Sequence, residues 1–160
     1  MKILKNIALC SILATGAVSA EKLNIDLSGS FYATSGHTIG LGEEKSAFVY
    51  SVYGASNLKT TNGKRIRVSV ECLGFDELGG TKGTQGIGRC NWIDESKDKL
   101  FTSVTTVHEG NRVEIIGGTG KWENASGVIT TTFVYLPTSS DKFFLGTEDG
   151  KGTIKAPNYK

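Results

Sequence analysis

An excess of charge of one sign is missing from this chain: 18 Lys+Arg stand against 16 Asp+Glu. No polybasic surface is built in, so strong non-specific binding to DNA or RNA is not expected. No segment past residue 20 approaches the roughly 18 consecutive apolar residues of a membrane-spanning helix. No window carries the i, i+3, i+4 stripe of an amphipathic helix. Gly is frequent, at 21 of 160 residues, yet it follows no short repeat, which excludes a collagen-like chain. The 38% hydrophobic and 9% aromatic content excludes a disordered tail. What remains is a Gly-rich globular chain of single-domain length.

Residues 1–20 read as a secretory signal peptide. Lys2 and Lys5 supply the positive start, residues 7–18 a mostly apolar stretch, and Val18-Ser19-Ala20 the small residues of a cleavage site. Ser11, Thr15 and Gly16 break the run too early for a membrane span. A lipoprotein anchor at Cys10 is the competing reading. Bulky Leu9 before it, and the apolar run continuing past it, argue against that and against any stable membrane anchor. Cleavage after Ala20 leaves residues 21–160 as one domain with 16 basic and 16 acidic residues. The bacterial look of the signal places the protein in the periplasm or outside the cell.

Two cysteines, Cys72 and Cys90, then remain. In an exported protein they are most simply one disulfide. A redox-active pair is disfavoured, because Cys-x-x-Cys spacing is absent.

Period-two alternation dominates the mature chain. Leu23, Ile25, Leu27 and Gly29 alternate with polar residues, and residues 46–53 are rich in β-branched and aromatic side chains. Residues 65–72 are the clearest case. Every even position is apolar and every odd one polar, which puts Arg65, Arg67 and Glu71 on the wet face; a reversed phase would make them inward, functional charges. Further strands are predicted at 83–92, 100–107, 112–116, 127–136, 142–146 and 152–156. Asn62-Gly63, Asp149-Gly150 and Glu109-Gly110-Asn111 read as turns, Asp94 to Asp98 as a solvated connection, and Trp122 to Ser126 as about one turn of helix. The fold class is therefore all-β: a single antiparallel, roughly eight-stranded closed barrel with very little helix. A β-sandwich is the alternative. A turn near Gly79-Gly80 would set Cys72 and Cys90 side by side on neighbouring strands.

The residues that carry chemistry are sparse. His37 and His108 are the only histidines, and neither has a Cys or second His at ligand spacing. A Gly-x-Ser-x-Gly elbow is missing. Asp94, Glu95 and Asp98 lack the Gly and distal Glu of a calcium loop. Gly117-Gly118-Thr119-Gly120 lacks the Lys-Ser/Thr of a phosphate loop. No catalytic residue, metal site or cofactor is expected from these patterns. Aromatics are the better resource: Tyr50, Tyr53, Trp92, Phe101, Trp122 and Tyr135, with Arg89, are the candidate ligand contacts on or beside strands.

One stretch resembles a known family. Residues 115–128, with Gly117-Gly118-Thr119-Gly120, the aromatic Trp122, Ala125 and Gly127, resemble the corner signature of the allene oxide cyclase and dirigent-like β-barrels. Gly88-Arg89-Cys90, Trp92-Ile93-Asp94 and Lys99-Leu100-Phe101 are similar to small exported bacterial proteins with this barrel. The resemblance implies an eight-stranded calycin-like barrel and a homo-oligomer, specifically a trimer. It transfers no activity, because the cyclase's polar pocket residues and the dirigent aspartates find no matching motif here.

Three functions follow as expectations. The first is an exported barrel that binds a small, partly apolar ligand. The second is a structural or interaction barrel with a filled core. The third is a cyclase- or isomerase-like enzyme acting on a hydrophobic substrate. The third requires a buried acid, base or Arg inside the barrel, with Glu71, Arg89 and His108 the first candidates.

Overall fold

The computed structural model describes residues 21–42, 44–79, 83–107, 110–140 and 142–159. The expected signal peptide, Cys10, Gly80, His108 and Glu109 lie outside the described residues. Eight strands follow in chain order: β1 (Glu21–Gly42), β2 (Lys45–Thr60), β3 (Arg65–Leu78), β4 (Gln85–Asp94), β5 (Lys99–Val107), β6 (Gly110–Gly118), β7 (Ser126–Leu136) and β8 (Phe144–Ala156). Each pairs antiparallel with its neighbour in sequence, and β1 pairs with both β2 and β8, so the sheet closes into a barrel. Closure removes free sheet edges, which long strands of this kind otherwise expose. It also excludes the sandwich alternative.

The strand phases follow the alternation. Ile66 and Val68 are buried while Arg65 and Arg67 face out. Inward residues divide the interior into two halves. At one end Leu23, Ile25, Leu27, Leu58, Leu100, Ile115, Ile129 and Ile154 pack into a continuous core. Trp122 and Tyr159 close that end, with ring centroids 5.0 Å apart. At the other end the interior opens into a cavity. The barrel is therefore filled at one end only.

The one-turn segment is a short 3₁₀ turn over Gly120–Trp122, slightly earlier than expected. It seats Trp122 fully inside the barrel end. The Asn62-Gly63 turn joins β2 to β3 as expected, with Gly63 N–H donating to the Thr60 carbonyl at 2.9 Å.

Three local readings need correction. Asp149-Gly150 is not a turn but the middle of β8, opposite Ser28 and Leu27 on β1 and Thr132 and Thr131 on β7. Pairing on both sides overrides the turn preference of that dipeptide. The region around His37, expected as a loop, is the far part of β1, with His37 itself inside a register irregularity between Ser35 and Thr38. Asp94 does not belong to a solvated tip, for it is buried at 6% exposure. Its Oδ1 accepts from the Ser96 backbone N–H at 2.8 Å, and its Oδ2 accepts from Trp122 Nε1 and Lys121 Nζ, both at 2.8 Å. Burial works against the charged form, but the bonds from Lys121, Trp122 and Ser96 outweigh it and hold this carboxyl below the usual range.

Candidate functional site

The open half of the barrel encloses a cavity of about 930 Å³. That lies near the upper end of small-molecule sites, which span about 300–1,000 Å³. Its wall is built by strand phase alone. Phe48, Tyr50 and Val52 come from β2, Val70 and Cys72 from β3, and Cys90 and Trp92 from β4. Val104 on β5, Val113 on β6, Phe133 and Tyr135 on β7, Phe31 on β1 and Phe144 on β8 add to the apolar part.

The disulfide belongs to this wall. Cys72 and Cys90 are directly opposed in the β3–β4 register and joined, with Cα atoms 4.1 Å apart. The expected pairing is present. The bond staples two strands at mid-barrel and contributes apolar surface to the cavity. The disulfide is consistent with an exported protein. Among the described residues no helix is long and apolar enough to cross a membrane.

Among the described residues two carboxyl groups enter the cavity, and neither was singled out from the sequence. Asp76 on β3 lies against the hydroxyls of Tyr50 and Thr106. Its Oδ1 is buried with no full hydrogen bond among the described residues. Burial raises this carboxyl above its ordinary range, and the two hydroxyls offset that only in part. The Tyr50 hydroxyl is also held well above its usual range, first by burial, then by the Asp76 charge and hydrogen bond, with a smaller contribution from Tyr135. Tyr50, Asp76 and Tyr135, on β2, β3 and β7, therefore converge across the cavity.

Glu148 on β8 forms the second group, beside Thr131 and Asn111. Burial raises it too. The nearby Thr131 and Asn111 groups pull the other way, and the Asp149 charge adds to the rise.

Glycines make the room for the Tyr50–Asp76 pair. Gly74 faces Tyr50 across β2–β3, and a Cβ there would fall 2.2 Å from the Tyr50 ring. Gly86 faces Asp76 across β3–β4, and a Cβ there would fall 1.6 Å from Asp76 Oδ1. Both positions exclude any side chain, because the opposing group occupies that space.

The structure brings three of the seven candidate contacts together: Tyr50, Trp92 and Tyr135 line the cavity. It separates the other four. Tyr53 is 54% exposed on the outer face. Phe101 lies on β5 in the opposite phase to the inward Leu100 and Thr102. Arg89 is outside, donating to Ser103 Oγ at 2.8 Å and to the Gly88 carbonyl at 2.9 Å. Trp122 is at the filled end, away from the cavity. Glu71 is exposed on the outer face. The acids that line the cavity are Asp76 and Glu148, not Glu71. Both stand at even positions in register with the apolar inward set, and a carboxylate at such a position was the available signal.

No family model matches the chain, and no curated protein matches it. Among solved structures, the chain is similar in fold to a pterocarpan synthase dirigent protein. The two share 11% identity with a TM-score of 0.49, over 84% of this chain and 87% of that one.

Proposed function

We propose that this protein is an exported barrel that binds a small, largely apolar ligand in its open half. The observation that carries this reading is the cavity itself: about 930 Å³, walled by aromatic and aliphatic side chains, with a few polar groups converging on it. Apolar surface removed from water contributes about 25 cal/mol per Å² on such a wall, while the polar groups fix orientation. The filled end supplies the rigid base, so the cavity wall is pre-formed rather than assembled on binding.

The test is a fluorescence titration with the uncharged probe N-phenyl-1-naphthylamine. Wild-type protein is expected to bind it at one-to-one stoichiometry with enhanced emission. Val52→Trp, which fills the wall from β2, abolishes that signal. Arg89→Ala, on the outer face, leaves it unchanged. Equal loss in both variants, or no binding by wild type, refutes the reading.

Export is part of the proposal. Residues 1–20 serve as a signal peptide, and protein recovered from the periplasm or medium is expected to begin at Glu21. Self-association is a second reading, favoured by one outer-face observation. Val49, Phe75 and Ile87 align across β2, β3 and β4, and are 47%, 38% and 60% exposed. Exposed apolar residues in one contiguous row mark interaction surfaces, and a second copy of the chain is the occupant proposed.

A further inference from the structure

The cavity is unbalanced in charge. Asp76 and Glu148 both line it, and among its described lining residues there is no Lys, Arg or His. Neither carboxyl has a salt-bridge partner among the described residues. The ionic contacts there pair Arg67 with Glu95, Lys121 with Asp94 and Lys151 with Asp26. A buried carboxylate without a counter-charge is costly, and a cation brought in by a ligand offsets that cost.

The remainder of the wall suits a cation as well. Phe48 and Tyr50 have ring centroids 5.9 Å apart on one side. Tyr135 gathers Phe133 at 5.3 Å, Phe144 at 5.9 Å and Phe31 at 6.1 Å on the other. Ring faces attract cations through their quadrupoles, more strongly where water is excluded. Carboxyl groups flanked by rings, over an aliphatic floor, form a receptor for a positive head on an apolar body.

Asp76 is the better head-group contact. Its Oδ1 is buried and has no hydrogen-bond partner among the described residues.

We propose that the ligand class of this cavity is an apolar organic amine, bound as its ammonium. The ammonium sits against Asp76 near Tyr50, and the apolar body runs along Val52, Val70 and Val104 towards Trp92. Glu148 adds negative potential from the opposite wall. The inference rests on the ligand-binding reading above and specifies its chemistry.

Three probes with one skeleton test it: decylamine, 1-decanol and decanoate, each displacing N-phenyl-1-naphthylamine from the mature, disulfide-intact protein. Decylamine is an ammonium at neutral pH, as lysine is. The expected order is amine, then alcohol, then carboxylate, with the amine at least about tenfold tighter than the alcohol. Asp76→Asn is expected to bring the amine-to-alcohol ratio close to one, and Glu148→Gln to reduce it by a smaller factor. A wild-type ratio near one, a preference for decanoate, or a ratio indifferent to Asp76→Asn overturns the proposal. The wild-type ranking decides even if a variant fails to fold. Tight alcohol binding without amine preference sinks the amine inference alone, whereas displacement by none of the three sinks the ligand-binding reading with it.

Discussion

Replacing Asp94 by Ala removes the acceptor on which the filled end of the barrel converges. In the native protein its carboxylate takes Trp122 Nε1–H and Lys121 Nζ at 2.8 Å each, and the Ser96 N–H at 2.8 Å. Asp94 is almost wholly buried, and the Trp122 ring is fully buried. Ala therefore leaves a buried indole N–H without an acceptor and Lys121 without its counter-charge. Removing one partner of a buried charged pair costs about 3–5 kcal/mol. A domain of this size loses about 3–4 °C of melting temperature per kcal/mol, so the midpoint is expected to fall by about 9–20 °C.

Trp122→Phe keeps most of the buried ring and deletes only the N–H donor. Its hydrogen-bond loss is about 1.5–3 kcal/mol, since the acceptor is charged. The double variant should then cost less than the two single losses together, by roughly 1.5 kcal/mol or more. Thermal melts of the four proteins, followed by circular dichroism, supply the cycle.

The same pair has a pH signature. The folded carboxyl of Asp94 lies below its ordinary range, so its stabilisation is present above the unfolded value of about 3.9. It is lost as pH falls through the lower folded value. The gap between wild type and Asp94→Ala therefore narrows below about pH 4. A midpoint drop under about 2 °C at neutral pH, or strict additivity in the cycle, would refute the reasoning.

Other outcomes are expected. Removing the disulfide by Cys72→Ala with Cys90→Ala reopens a link spanning 18 residues, which costs about 3 kcal/mol in the chain-entropy treatment and shows as a lower urea midpoint. Glu148→Gln removes a carboxyl whose folded pKa is raised, so it should stabilise the protein above that folded value. The gain disappears below about pH 4.3, where the acid is protonated in both states; urea melts at pH 7.5 and pH 4 check the sign. Sedimentation velocity should show an assembly larger than one chain, and Ile87→Lys with Phe75→Lys should shift it towards the monomer.

Much of the barrel was legible because its strands are wet on one face. Residues 65–72 favoured one phase, with Ile66, Val68 and Val70 set against Arg65, Arg67 and Glu71, and the structure has that phase. The Cys72–Cys90 pairing followed from the same phase and from strand adjacency. The length of β1 and the unity of β8 were not legible. His37 and its neighbouring glycines have weak strand preference, yet pairing to β2 carries β1 on past Ala33; Asp149-Gly150 has strong turn preference, yet pairing to β1 and β7 on both sides decides it.

The candidate site was half legible, for a related reason. Aromatics on strands pointed to a lined interior, but residue type alone does not separate an inward Tyr50 from an outward Tyr53. Phase separates them, and β2 carries no clean alternation there: Phe48, Val49 and Tyr50 are apolar or aromatic in succession. Trp122 lies in the filled end of the barrel rather than in the cavity wall, and its indole N–H is engaged by Asp94. Asp76 and Glu148 were missed because isolated acids in Gly-containing strands look solvated until the glycines opposite them are placed.

The central claim is that the open half of this barrel holds an apolar ligand against its inner wall. The most direct measurement is a set of intermolecular NOEs between 1-decanol and methyl groups of the isotope-labelled mature protein. Contacts are predicted to Val52, Val70 and Val104, which face the cavity, and not to Leu73, Ile87 and Val134 on the outer face. Contacts confined to the outer methyls, or none at saturating ligand, would contradict it.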